Sequence, residues 1–142
     1  MFGRLKKPQI RRARPDEYQT IIENEKLLFD TDVVELADFY LYSTYVLFKN
    51  DNLVGHYMWY SEGNDAYLFT LAINKEHQGK GFSDILLDHF FDETKEYSRA
   101  LHVDVDNIPA ICLYRKHGFK EIKIEEGFYQ SGKSAIYMRK EK

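Results

Sequence analysis

The sequence predicts an α/β fold in which helices cover a mixed sheet, and three observations predict it. Apolar runs between 45 and 73 are separated by turn residues, the mark of antiparallel hairpins. After Gly81 the apolar spacing switches to helical, then to strand, then to helical again, which is a β-α-β rhythm. The chain has 142 residues, 44% hydrophobic and 30% charged. That suits one domain over 1–142, able to bury roughly 68–70% of its unfolded surface without disulfides.

The predicted order is β-α-α-β-β-β-α-β-α-β-β, and its opening strand has no firm place ahead of the first helix. Pro15-Asp16-Glu17 starts that helix, with proline early and acids in the first turn. Tyr18, Ile21, Ile22 and Leu28 share one of its faces. Asp32 to Tyr40 is predicted as a second short helix capped by Asp30, Thr31 or Asp32. Tyr45–Phe48 and Leu53–Tyr60 are strands joined by the turn Asn50-Asp51-Asn52. Glu62-Gly63-Asn64-Asp65 turns the chain into a third strand, Tyr67–Ile73. Phe82, Ile85, Leu86, Phe90 and Phe91 predict a helix from Gly81 to about Glu96. Leu101–Val105 alternates with period two, a strand with one buried face. Pro109 opens a short helix that runs to Lys116, and Gly118 ends it. Phe119–Glu125 and Ser134–Arg139 are the closing strands.

Composition narrows the function. The net charge of −3 carries no global basic field for nucleic acid. Arg4, Lys6, Lys7, Arg11, Arg12 and Arg14 make a basic N-terminal arm, read as solvated. No apolar run is long enough for a membrane helix, and no secretory core follows the arm. The expected compartment is the cytoplasm, with no membrane partner and a monomeric or homodimeric state. A lone Cys112 excludes an internal disulfide framework and is expected in the core. The five histidines show no zinc spacing, and Asp104-x-Asp106-Asn107 lacks the glycine and glutamate of a calcium loop, so no metal is inferred. Eleven tyrosines, ten phenylalanines and one tryptophan are enough to pack a core and line a pocket as well.

The stretch from Ile73 to Ser83 joins a strand to a helix and is the most informative in the chain. Gly79 and Gly81 let the backbone turn tightly against a ligand, Lys80 adds positive charge, and the next helix offers free N–H groups and its dipole. This is pyrophosphate-binding chemistry. Gln78-x-x-Gly81-x-Ser83 resembles the coenzyme A signature of the GCN5-related N-acetyltransferases, with serine where that signature ends in glycine or alanine. Asn107 to Phe119, with its Leu113-Tyr114-Arg115-Lys116 and Gly118-Phe119, is similar to the last motif of the same family, in the family's order and at about its spacing. Ser134–Met138 looks like its final strand.

The resemblance implies a GNAT-like acyl-CoA N-acyltransferase fold whose sheet splays between Tyr67–Ile73 and Leu101–Val105. Acetyl-CoA would lie in the opening, its pantetheine along the backbone at Leu71 and Ile73. Gln78, Gly79, Lys80, Gly81, Phe82 and Ser83 would hold its pyrophosphate, and Asn107 its pantetheine arm. Tyr114 would be the general acid near the sulfur, while a base takes the proton of the attacking amine. In the subgroup that acetylates protein N-termini a glutamate stands twelve positions before that tyrosine; here the position is His102, whose imidazole can serve. Glu62 and Asp65 are the weaker candidates for the base. The implied partner is an amine-bearing acceptor, a small molecule or a protein amine. Acids (Glu23, Glu25, Asp30, Asp32, Glu35, Asp38) and aromatics (Phe29, Phe39, Tyr40, Tyr42) on the first two helices suit a cationic amine.

Two rival readings come from other classes. A non-catalytic acyl-CoA-binding module would need the glycine loop but not Tyr114. Gly127 to Ser134 spells the G-x-x-x-x-G-K-[ST] phosphate loop, but a strand follows where a helix is required, so it is read as a hairpin loop with Gly132 in a turn. The family resemblance implies that this loop borders the acceptor, where Phe128 and Tyr129 would touch it; packing explains the two rings equally well.

Overall fold

The computed structural model describes residues 7–142 and has the predicted element order. Strand β1 (Gln9–Arg12) is followed by a 3-10 turn at Pro15–Glu17, helix α1 (Tyr18–Leu28) and the short helix α2 (Asp38–Leu41). Strands β2 (Ser43–Lys49), β3 (Asn52–Glu62) and β4 (Asp65–Ile73) form an antiparallel meander. Helix α3 (Phe82–Glu93), β5 (Ser98–Asp104), α4 (Ile108–Lys116), β6 (Lys120–Glu125) and β7 (Ala135–Lys140) complete one sheet in the order β1-β2-β3-β4-β5-β7-β6. Among the described residues only β4 and β5 pair in parallel; every other pair is antiparallel.

Strand alternation divides the core. Leu47, Tyr57, Leu68, Leu101, Val103 and Met138 face α3 and α4, against Leu86, Leu87, Phe90, Ile111 and Tyr114. Val46 and Met58 point the other way, onto Ile21, Ile22, Val34 and Phe39 of the α1–α2 region. Helices therefore cover both faces, as a mixed sheet requires. Gly55 marks the tightest contact: a methyl there would meet the Ala72 carbonyl at 2.7 Å and Leu86 at 3.3 Å.

Several expectations change. Arg11 and Arg12 of the basic arm are paired in β1 with Val46 and Tyr45, and Arg11 is bound to Glu17 at 2.6 Å, so this part of the arm is the missing first strand. Arg4 and Lys6 lie outside the described residues. The second helix shrinks to Asp38–Leu41 because Asp32 sits at φ 54°, which no helix continues. The third helix stops at Glu93, where the buried Thr94 hydroxyl donates to the Phe90 carbonyl at 2.6 Å and ends the ladder. Cys112 is exposed: Ile111 and Tyr114 take the inner face of α4, and Cys112 is turned out between them.

Candidate active site

The sheet splits between β4 and β5. Their parallel pairing runs from Asp65–Ser98 to Leu68–Leu101 and stops there. At that point β4 carries one extra residue, because Met58 pairs with Thr70 and Trp59 with Leu68, leaving Phe69 unmatched. Such a bulge bends a strand and ends its pairing. Beyond it, the β5-facing backbone of Phe69 to Ile73 has no partner strand among the described residues, while β5 goes on pairing with β7 as far as Asp104–Ala135. An exposed ladder edge of this kind takes an extended amide chain such as pantetheine. Leu71 and Ile73 pack their side chains toward the α3 face and leave this backbone edge to a ligand.

The loop expected to cradle an anion lies at the open end of the split. The buried Asn74 ties it to β3, donating from its side chain to the Leu53 carbonyl at 2.8 Å. Gln78 donates to the Ile73 carbonyl at 3.0 Å, so its side chain shapes the loop rather than reaching outward. Gly79 and Gly81 adopt φ 76° and 83°, and Gly81 caps α3 without a side chain. The first N–H groups of α3, at Phe82 and Ser83, have no partner within the helix and meet the positive end of its dipole. The Phe82 ring itself is core, 5% exposed. Lys80 borders a cavity of about 210 Å³ with Lys49, Asn50, Asn52, His77 and Phe82, on the side of the loop facing the β2–β3 turn. Across the split, Asn107 caps α4: its Oδ1 accepts from the Ala110 N–H at 3.3 Å, which leaves its side-chain N–H₂ for a ligand carbonyl. Asp84, just past the cradle, accepts from His117 at 2.6 Å and Lys116 at 2.9 Å, fastening the start of α3 to the end of α4. Those two hydrogen bonds, His117's first, hold the Asp84 carboxyl below the usual carboxylate range.

Tyr114 and His102 come from opposite faces of the sheet. Tyr114 belongs to the α3–α4 side, edge-on to Phe119 at 5.7 Å. Burial pushes its hydroxyl well above the ordinary tyrosine value, so it keeps its proton. His102 alternates with Leu101 and Val103 and therefore points to the other face, one residue beyond the last β4–β5 pair. Its Nδ1 lies 2.6 Å from the hydroxyl of Tyr67, and its Nε2 lies 3.2 Å from Glu125 Oε2, off the line of a hydrogen bond. Burial lowers the His102 pKa; Glu125 opposes the shift without cancelling it. Burial likewise lifts Tyr67, which stays a neutral donor. With Tyr67 donating to Nδ1, the ring proton sits on Nε2 and faces Glu125.

Tyr67 and Glu125 were not among the expected site residues. They stand 35 and 23 positions from His102, and only sheet register brings them to it. Of the other proposed bases, Asp65 holds Arg139 through both oxygens, at 2.6 and 3.0 Å, and Glu62 stands opposite it in the register of β3 and β4, at the end of the sheet away from the split. The expected acidic wall is largely committed elsewhere. Glu25 is buried, accepting from Thr70 at 2.8 Å and the Val34 N–H at 3.2 Å and paired with His56 at 2.6 Å. Asp30 and Asp32 hold the β6–β7 loop. That loop turns at Gly132 and leads into β7, and Lys133 is bound to Asp30 at 3.1 Å, so the phosphate-loop spelling is a hairpin turn.

The sequence profile of the acetyltransferase (GNAT) family matches residues 8–119. The chain belongs to this family. It is a GNAT-type N-acetyltransferase, and acetyl-CoA is the acyl donor and an amine the acceptor in such enzymes. An N-alpha-acetyltransferase of Saccharolobus solfataricus is 27% identical over 91% of this GNAT chain and 90% of its own. The ribosomal protein bS18-alanine N-acetyltransferase of Escherichia coli is 35% identical over a segment that spans about half of either chain, 46% and 47%. Among solved structures, Ard1 of Thermoplasma volcanium shares the fold with a TM-score of 0.87 at 20% identity, over 94% of this chain and 97% of that one. Naa50 of Arabidopsis thaliana, in complex with the bisubstrate analogue CoA-Ac-MVNAL, does so at 0.84 and 20% identity, over 95% and 99%. Among the described residues no helix is long and apolar enough to cross a membrane.

Proposed function

We propose that this chain acetylates the α-amino group of a protein or peptide from acetyl-CoA. The observation that carries the chemistry is the Tyr67–His102 pair, 2.6 Å apart where β4 and β5 part. The relatives named N-alpha-acetyltransferase and ribosomal-protein alanine N-acetyltransferase support the acceptor class. The donor's thioester lies in the split. The amine nitrogen bonds to the thioester carbonyl carbon as the carbon–sulfur bond breaks. Tyr67 Oη takes the amine proton and passes its own to His102 Nδ1. The imidazolium so formed faces the Glu125 carboxylate, an arrangement that stabilises the charge as it appears. From the other face, Tyr114 gives its proton to the departing sulfur. A half-buried imidazole at the opening, its pKa lowered by burial, favours this over a binding module, which has no use for a proton acceptor there.

The test is thiol release from acetyl-CoA with two peptides, one with a free α-amine and one α-blocked but carrying lysine. Release and an added acetyl group on the free α-amine are expected. Acetylation of the lysine alone would reassign the acceptor. Acetyl-CoA that stabilises the protein, by about 2.7 kcal/mol at a hundred times its Kd, with no release from any amine would restore the binding module.

A further inference from the structure

The β6–β7 loop lays the Phe128 ring flat on the His102 imidazole. The ring centroids are 4.0 Å apart and the planes 11° from parallel. Phe128 is itself 39% exposed, so filling the core does not explain its position. Two contacts pin the loop across the molecule to the α1–α2 segment. Lys133 Nζ reaches Asp30 at 3.1 Å, and the Gln130 N–H donates to Asp32 Oδ1 at 3.0 Å. Asp32 takes φ 54° to present that oxygen, and the Thr31 hydroxyl donates to it at 2.6 Å.

We infer that Phe128 is a positioning residue for His102: the pinned loop holds its ring against one face of the imidazole, which fixes the orientation of Nδ1 toward Tyr67 and keeps water off that face. The inference rests on the assignment of His102 as the proton acceptor. The groups around the imidazole come from every neighbouring element: the Tyr67 hydroxyl from β4, Glu125 and Lys123 from β6, the Tyr137 ring at 5.0 Å from β7, and Phe128 from the loop. Glu125 favours the protonated ring and Lys123 the neutral one. Phe128 acts in two opposed ways. Its bulk excludes water, which favours the neutral imidazole, and its π face attracts the imidazolium. Exclusion of water wins, because burial is the largest influence on this histidine.

The sign of the effect follows. The proton acceptor must be neutral, so its pKa sets the acidic limb of kcat/KM. In the parent that limb falls below 6.5, the ordinary histidine value. Phe128→Leu admits water, raises the pKa and moves the limb upward by about half a pH unit. It also lowers kcat about tenfold above the limb, since a turning imidazole no longer faces Tyr67. KM for acetyl-CoA is unchanged. Phe128→Tyr keeps the stack and restores both limb and kcat. Lys133→Ala unpins the loop without touching His102, and moves the limb the same way by less; it serves as well if Phe128→Leu does not fold.

The measurement is kcat/KM for an α-amine peptide against pH in these variants and in His102→Gln. An upward limb in Phe128→Leu that Phe128→Tyr reverses supports the inference. A limb that stays put or moves down in Phe128→Leu and Lys133→Ala overturns it, while loss of the limb in His102→Gln leaves the base in place. An acidic limb that persists in His102→Gln overturns the base assignment, and the role of Phe128 with it.

Discussion

Tyr114→Phe separates catalysis from binding and from folding in one substitution. The hydroxyl makes no hydrogen bond among the described residues, whereas the ring packs against Ile111, Phe119 and the rest of the α3–α4 core. Removing the oxygen alone leaves no partner unsatisfied, so stability changes by less than about 1 kcal/mol. The loop Gln78–Ser83, proposed to hold acetyl-CoA, is a separate element, so the Kd for acetyl-CoA is expected to hold. On the proposed mechanism, only the proton for the departing sulfur is lost. Because burial keeps water as well as solvent acids away from this position, the reaction has no easy substitute, and kcat falls between about tenfold and a hundredfold, or about 1.4 to 2.7 kcal/mol of barrier. The assay is continuous thiol release at saturating acetyl-CoA, with donor affinity titrated and the unfolding midpoint measured on the same preparation. The burial that lifts the Tyr114 pKa also makes a pH prediction: no basic limb below the ordinary tyrosine value of 10 belongs to this residue, so the variant keeps whatever basic limb the parent shows. Parent-like kcat in Tyr114→Phe would take the tyrosine out of the mechanism.

Two other substitutions test the frame of the site. Glu25→Ala orphans the buried His56, Thr70 and the Val34 N–H together, and costs about 3–5 kcal/mol in urea unfolding; a loss under about 1 kcal/mol would mean the pair contributes little to seating α1 on β4. Gly55→Ala forces a methyl to within 2.7 Å of the Ala72 carbonyl, backbone that cannot swing aside, and should cost about 1–3 kcal/mol by the same measurement. A neutral result there would show that β3 and β4 shift apart without strain.

The glycine loop was legible because its requirements are local. Gly79 and Gly81 adopt left-handed angles that glycine takes without strain, and both lie within one loop that leads into one helix. Asn107 and Tyr114 are legible for the same reason: a cap and an inward helical position seven residues apart. The second helix is shorter than its cap residues suggest because Thr31 and Asp32 bond to each other, Asp32 also to the distant Gln130 N–H, and Asp30 to Lys133. Cys112 was misplaced because a general preference for buried cysteine gave way to the phase of α4.

The sequence by itself determined the order of elements, the glycine loop, the tyrosine on the last helix and a histidine on the strand Leu101–Val105. Each depends on residues close in the chain, where spacing fixes geometry. Tertiary structure alone decided what surrounds that histidine. Tyr67, Glu125 and Phe128 reach it through the register of β4, β6 and a loop held by α1–α2 residues some hundred positions away. The same is true of the split itself, which exists because one unmatched residue, Phe69, falls where β4 leaves β5. Contacts between strands depend on which residues lie opposite one another, and a shift of one position turns every side chain to the other face.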